Sequence, residues 1–219
     1  MSIASPLAPP AANGLLSMNG VADVPTLSVW RLSVEQYHEM IRTGILHNGD
    51  PIELLEGVLV LKRDRNLPHR IAVTQLRDLL MRLVGSGWHV ETQEAVTLDT
   101  SEPEPDLAVI RGTVRDYPDR HPGPNDIGLV VEVADTSLAQ DRGQKKRVYA
   151  RAGIVEFWIV NLIDEQIEVY FDPTGPVDPS DQAEQSDYRQ RLVFTPGQSV
   201  PVTLGGGEVG LIAVSQVLP

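Results

Sequence analysis

One acid in this chain stands where an apolar residue would be expected. Glu132 lies inside IGLVVEVA, residues 127–134, surrounded by apolar side chains and one glycine. An ionised carboxylate buried without a partner costs several kcal/mol. Glu132 must therefore be paired, protonated or bound to a cation, and a structural ion pair to a helix lysine or arginine meets that demand as well as a functional role does. Asp106 follows Pro105 at the start of DLAVIR, a strand expected to lie beside the one holding Glu132. Alone, such an acid reads as turn chemistry. Together, the two carboxylates repel unless a cation sits between them. Mg²⁺ takes hard oxygen ligands, usually one or two carboxylates with waters and phosphate oxygens, so the pair suits phosphodiester hydrolysis. Lys145 is the third candidate. Asp141, Lys145 and Tyr149 fall on one helical stripe at i, i+4, i+8, and a lysine facing the acids could stabilise charge on a phosphate or orient water. Lys146 points to a different side of the helix and ranks second.

The elements that must position these residues follow from periodicity. Ser33 opens a short helix, SVEQYHEMIRTG, through the Ser-x-x-Gln spacing of a capping box, with Gly44 as its stop. Residues 52–62 read as a strand or as a hairpin arm bent around Gly57. A longer helix carries Ala72, Val73, Leu76, Leu79, Leu80, Leu83 and Val84 at helical spacing and ends at Gly85 and Gly87. Residues 88–98 alternate as a strand, 106–111 form a second, and 127–134 read as a central strand covered on both faces. A helix is expected over 137–152, followed by strands at 156–161 and 166–171 with a turn between them. The stretch 173–187 reads as an exposed loop, and the last thirty residues as short β pieces. Only one long crossover links strands that could pair in parallel, so the sheet should be mixed. Residues 1–26, rich in Ala, Pro, Ser and Gly, read as a flexible leader, and 27–219 as a single domain.

Composition narrows the function classes. With 42% hydrophobic residues the chain can bury an ordinary core. There is no cysteine, which excludes disulfides, thiolate chemistry and cysteine-based zinc sites. No apolar run approaches the roughly 18 to 20 residues that cross a bilayer. No basic residue precedes the apolar start, so neither a signal peptide nor a membrane location is expected, and the cytoplasm is the default. The net charge of −12 argues against tight, non-specific binding to a polyanion. Yet half of the 18 basic residues sit in two short segments, one from Lys62 to Arg70 and one from Arg142 to Arg151.

The ordered set Pro105-Asp106, Glu132-Val133, Asp141-Arg142 with Lys145, Tyr149-Ala150 with Gly153, and Glu156-Phe157-Trp158 strongly resembles the PD-(D/E)xK restriction-endonuclease-like superfamily. Within it, the match is to a large bacterial branch whose lysine has moved to the helix after the central strand. Here Ala134 occupies the usual lysine position, and Lys145 would be its spatial replacement. Upstream, Glu53-Leu-Leu-Glu-Gly57 and His69 resemble the branch's N-terminal elements. The resemblance covers roughly residues 32 to 172. It implies an α+β fold with a restriction-endonuclease-like core of αβββαβ order, a mixed sheet flanked by helices, and extra β elements at both ends. It further implies that Asp106 and Glu132 bind metal, with the Val133 carbonyl as a further ligand and Glu53 as an accessory acid, whereas His69 reads as a helix-start hydrogen-bonding residue and Tyr149 and Trp158 as core.

The function expected on these grounds is a Mg²⁺-dependent endonuclease acting on DNA, with Mn²⁺ as a substitute metal and a homodimer if both strands of a duplex are cut. The competing expectation is a catalytically inactive nuclease fold kept as a binding or assembly module, which the acidic balance favours. No separate DNA-reading motif is visible.

Overall fold

The computed structural model describes residues 29–47, 49–62, 65–175 and 186–219. The leader expected over 1–26 lies outside the described residues, as does most of the loop expected over 173–187. Helix α1, Val34–Arg42, forms as its spacing predicts: the Ser33 hydroxyl accepts from Gln36 N while the Gln36 side chain accepts from Ser33 N. The stretch 52–62 is a hairpin rather than one strand. β1, Ile52–Leu55, and β2, Val58–Leu61, pair antiparallel across Glu56 and Gly57. Both turn residues take positive φ (51° and 76°), the conformation that matches a tight hairpin to the strands' right-handed twist.

Helix α2, Leu67–Leu83, starts five residues earlier than its apolar periodicity suggests, because Asn66 caps it and Pro68 is preset for a first helical turn. It buries Ala72, Val73, Leu76 and Leu80 against the main sheet. The strands of that sheet are β3 (Trp88–Glu91), β4 (Leu107–Arg111), β5 (Ile127–Ala134), β6 (Glu156–Asn161), β7 (Gln166–Pro173) and β8 (Tyr188–Phe194), hydrogen-bonded in sequence order. Only β5 and β6 run parallel, so the sheet is mixed, as expected. The order α2, three strands, a helical crossover and β6 is the expected αβββαβ core, and the fold is α+β. β9 (Ser199–Leu204) and β10 (Gly207–Ala213) form a separate hairpin whose Val200, Val202, Leu204 and Ile212 join the α2 side of the core. Residues 31–219 form one compact unit. Among the described residues, no helix is long and apolar enough to cross a membrane.

Every residue of β5 is buried. Leu129, Val131 and Val133 face α2, while Val130 and Ala134 pack with Val148, Tyr149 and Ala150 on the opposite face. Two expectations need correction. The strand expected over 88–98 ends at Glu91, although Val96 and Leu98 remain buried. Its continuation folds against Pro103 and Pro105, whose carbonyls accept from Val96 N and Gln93 N, and a proline has no N–H to return. The helix expected over 137–152 is interrupted. α3 (Leu138–Gln140) leads into a π-helical turn, Asp141–Lys145, before α4 (Lys146–Arg151). Gly143, a poor helix former, sits inside that turn.

Candidate active site

The end of β5 that carries Glu132 meets the start of β4, the N-terminus of α2, the β1–β2 hairpin and the π turn. Asp106, immediately before β4, is fixed by two donors to one oxygen. Val133 N and His69 Nε2 each reach Asp106 Oδ2 at 2.9 Å. His69 is held there by its place in the first turn of α2, where its own N–H donates to the Asn66 cap at 3.0 Å. Glu132 accepts from Lys145 Nζ at 2.9 Å and from the Tyr149 hydroxyl at 2.7 Å, both on Oε1. Glu53 on β1 accepts from Glu104 N at 3.2 Å and stands 3.3 Å from Lys145 Nζ, again through a single oxygen, Oε2. Asp141 takes the Ser137 hydroxyl at 2.6 Å. Glu53, His69, Asp106, Glu132, Asp141 and Lys145 are all buried.

The expected residues Glu53, Asp106, Glu132, Val133 and Lys145 thus line one cavity, whose open space is about 60 Å³. That volume suits a few water molecules. Lys62 and Arg65 also reach its wall, held by Glu104 at 2.8 Å and by Gln93 at 2.6 Å. Lys146, the second-ranked lysine, points elsewhere and pairs with Asp187.

Three neighbours carry more than the sequence assigned them. Tyr149 was expected to be core; it is buried, but its hydroxyl orients Glu132. His69 does bond at a helix start, and its ring also reaches the candidate metal ligand Asp106. Asp141 shares a stripe with Lys145 and stands in the Asp141-Arg142 pair of the motif set, the two signals the sequence carries for it. For His69 the signal was weaker, a histidine three residues after a capping asparagine and directly behind a proline.

The electrostatics of the cluster are lopsided. Burial pushes the Glu132 carboxyl up to about 8 against the opposing charge of Lys145, and pushes Asp141 up to about 6 against Lys145 and Ser137. Burial would also raise Asp106, but the His69 ring and the Val133 N–H outweigh it and hold that carboxyl below its ordinary value. Burial would lower Lys145, but the charges of Glu132, Glu53 and Asp141 outweigh it, so the ammonium stays protonated. Four buried carboxyl groups therefore share one ammonium.

This donor set fits a hard divalent cation. Asp106, Glu132 and Glu53 each use one oxygen toward the protein, and the other takes no hydrogen bond from a described residue. His69 Nδ1 is the one buried side-chain nitrogen or oxygen among the described residues without a partner. Among those residues no three His, Asp or Glu side chains form a ready-made ligand cluster. A cation here would accordingly rest on two carboxylates, a carbonyl and water, the usual manner of Mg²⁺.

Comparisons with known proteins bear on the family and the fold. The family model Uma2, described as "Putative restriction endonuclease", matches residues 34–203. No curated protein matches the chain. Among solved structures, a putative nuclease belonging to DUF820 from Anabaena variabilis ATCC 29413 is similar with a TM-score of 0.57 and 14% identity, covering 85% of this chain and 97% of that one. At that identity the likeness is one of fold.

Proposed function

The chain belongs to the Uma2 family of restriction-endonuclease-like proteins, and from that membership we propose that it is a metal-dependent endonuclease hydrolysing DNA phosphodiester bonds at the Asp106–Glu132–Lys145 cluster. The observation that carries this reading is the crowding of Glu53, Asp106, Glu132 and Asp141 around a single ammonium, each acid buried. Asp106, Glu132 and the Val133 carbonyl would hold Mg²⁺, or Mn²⁺ in its place, which supplies Lewis-acid activation of water and phosphate when bound.

The chain's own groups do the remaining work. Val133 N and His69 fix Asp106 in one orientation, and Tyr149 with Lys145 does the same for Glu132. Lys145 keeps its proton and presents a fixed positive charge to a phosphate oxygen that gains charge as water attacks. Glu53 holds that ammonium from a second side. Lys62 and Arg65 at the cavity wall would grip neighbouring phosphates. In this reading the protein works in the cytoplasm, and a homodimer would present two such sites to the two strands of a duplex.

The test is cleavage of supercoiled plasmid with Mg²⁺ or Mn²⁺ by the wild type, Asp106→Ala and Glu132→Ala, with melting curves to verify folding. Metal-dependent nicking lost in both variants is expected; undiminished cleavage by both would overturn the site. A second reading, an inactive binding module, draws on the net charge of −12. A melting temperature unmoved by millimolar metal would favour it; a saturable rise that disappears in Asp106→Ala would count against it.

A further inference from the structure

On the α2 side of the sheet, at the opposite end of β5 from Glu132, lies a second cavity of about 680 Å³. The starts of β5 and β6 and the ends of β4, β7 and β8 form one wall, and the β9–β10 hairpin with its Gly205–Gly206 turn forms the other. Its volume falls in the range of small-molecule sites, roughly 300–1,000 Å³. Its walls are largely apolar and aromatic, with Trp88, Val169, Phe171, Leu192 and Phe194 among them.

Three charged side chains besides these reach the wall. The Arg111 guanidinium lies over the Trp88 ring, 4.6 Å from its centre, and Asp172 pairs with Arg189 at 3.0 Å. Glu156 is the third. It is buried, its Oε1 takes the Trp158 indole N–H at 2.6 Å, and among the described residues it forms no ion pair. Glu156 belongs to the Glu-Phe-Trp motif, of which the nuclease reading makes no use. Trp158 faces α2, and Glu156, two residues earlier on the same strand, shares that face, away from the metal-site cluster.

We propose that this cavity binds a small organic amine with an aromatic body, its ammonium paired with Glu156 and its ring against the Trp88 and Phe171 walls. The charge complementarity is local: at Glu156 the cavity offers a buried carboxyl with no ion pair among the described residues, beside a largely apolar wall. Burial without a cation also pushes the Glu156 carboxyl up to about 7, the mark of a group whose charge lacks compensation. A bound ammonium would relieve that cost, whereas a carboxylate ligand would add to it.

Isothermal titration of the full chain tests this with tryptamine and phenethylamine as probes, and with 3-methylindole and indole-3-propionate as the neutral and anionic controls. One saturable site for the amines is expected, with no binding of the propionate. Glu156→Gln keeps the acceptor for Trp158 and should weaken amine binding about tenfold or more while leaving 3-methylindole unchanged. Leu192→Trp, which fills the cavity from its rim, should remove binding of every probe without touching Glu156. Absence of saturable binding by both amines would overturn the proposal, as would equal binding by wild type and Glu156→Gln. Amine binding that weakens as protein concentration rises would assign the cavity to a second copy of the chain and overturn it as well.

Discussion

The ammonium of Lys145 lies 2.9 Å from Glu132 Oε1, although the two residues are thirteen apart and belong to different elements. The pair is buried, and Glu53 approaches the same ammonium from the hairpin at 3.3 Å. Removing one partner of such a pair leaves charge without compensation, which is costlier than the pair itself is stabilising.

Lys145→Met should therefore lower stability by about 3 kcal/mol at pH 8. Acid relieves the loss, because Glu132 and its neighbours take up protons in place of the missing ammonium. Urea denaturation at pH 8 and pH 5 measures both values. Equal stability of variant and wild type at pH 8 would show that the pair contributes nothing.

Glu168 on β7 anchors the π turn from the other side. It is fully buried and accepts from Arg142, Tyr170, Asn161 and Gln166. Burial would raise its carboxyl, but these donors outweigh it and bring it down to about 2 from 4.5. The unfolded chain then binds more protons, so the stabilisation is present above pH 4.5 and is lost as pH falls toward 2. Glu168→Gln should cost about 2 kcal/mol at pH 7, discounted for the partly exposed arginines. Its denaturation curve should converge with the wild type's near pH 2 to 3.

Glu156 gives the opposite slope. Its folded value of about 7 lies above 4.5, so the native state binds more protons between those limits. Stability associated with this group is full below pH 4.5 and lost as pH rises through 7. Glu156→Gln, without an added amine, should match the wild type at pH 4.5 and exceed it by about 2 kcal/mol at pH 8. Thermal melts across that range will report it; a variant less stable at pH 8 than the wild type would refute the sign.

Gly128 has no room for a side chain. A Cβ there would meet Leu204 Cδ2 and Trp88 Cζ3 at 2.8 Å. Gly128→Ala should destabilise by about 1–3 kcal/mol through overpacking and perturb the near-ultraviolet signal of Trp88. Unchanged melting and spectrum would mean that the β9–β10 hairpin yields freely.

Much of the core was legible because its physics is local. IGLVVEVA reads as a doubly covered strand, and an acid within it has to be paired, protonated or bound to a cation. The single helical crossover required a mixed sheet, and the ordered motif set placed Lys145 near Glu132. The irregular path from Thr92 to Asp106 was harder, since alternation persists there while Pro103 and Pro105 remove the donors of a ladder. The π turn was hidden for a related reason: a stripe counted at 3.6 residues per turn contains no sign of an extra residue. His69 on Asp106 depends on where α2 begins relative to β4, a long-range fact that short-range spacing does not encode.

That extra residue has a consequence for how the chain tolerates length changes. A π turn accommodates one residue beyond an α-turn, and here Arg142 is tied to Glu168 on β7 while Lys145 is tied to Glu132 on β5. Deleting Gly143 would leave Arg142 and Lys145 two residues apart rather than three and change the angle between them about the helix axis, so both ties could not be kept at once. The segment works as a rotary coupling with a single setting. A one-residue deletion that most surface helices would absorb by fraying would here uncouple the ammonium from its acids while leaving every acid in place.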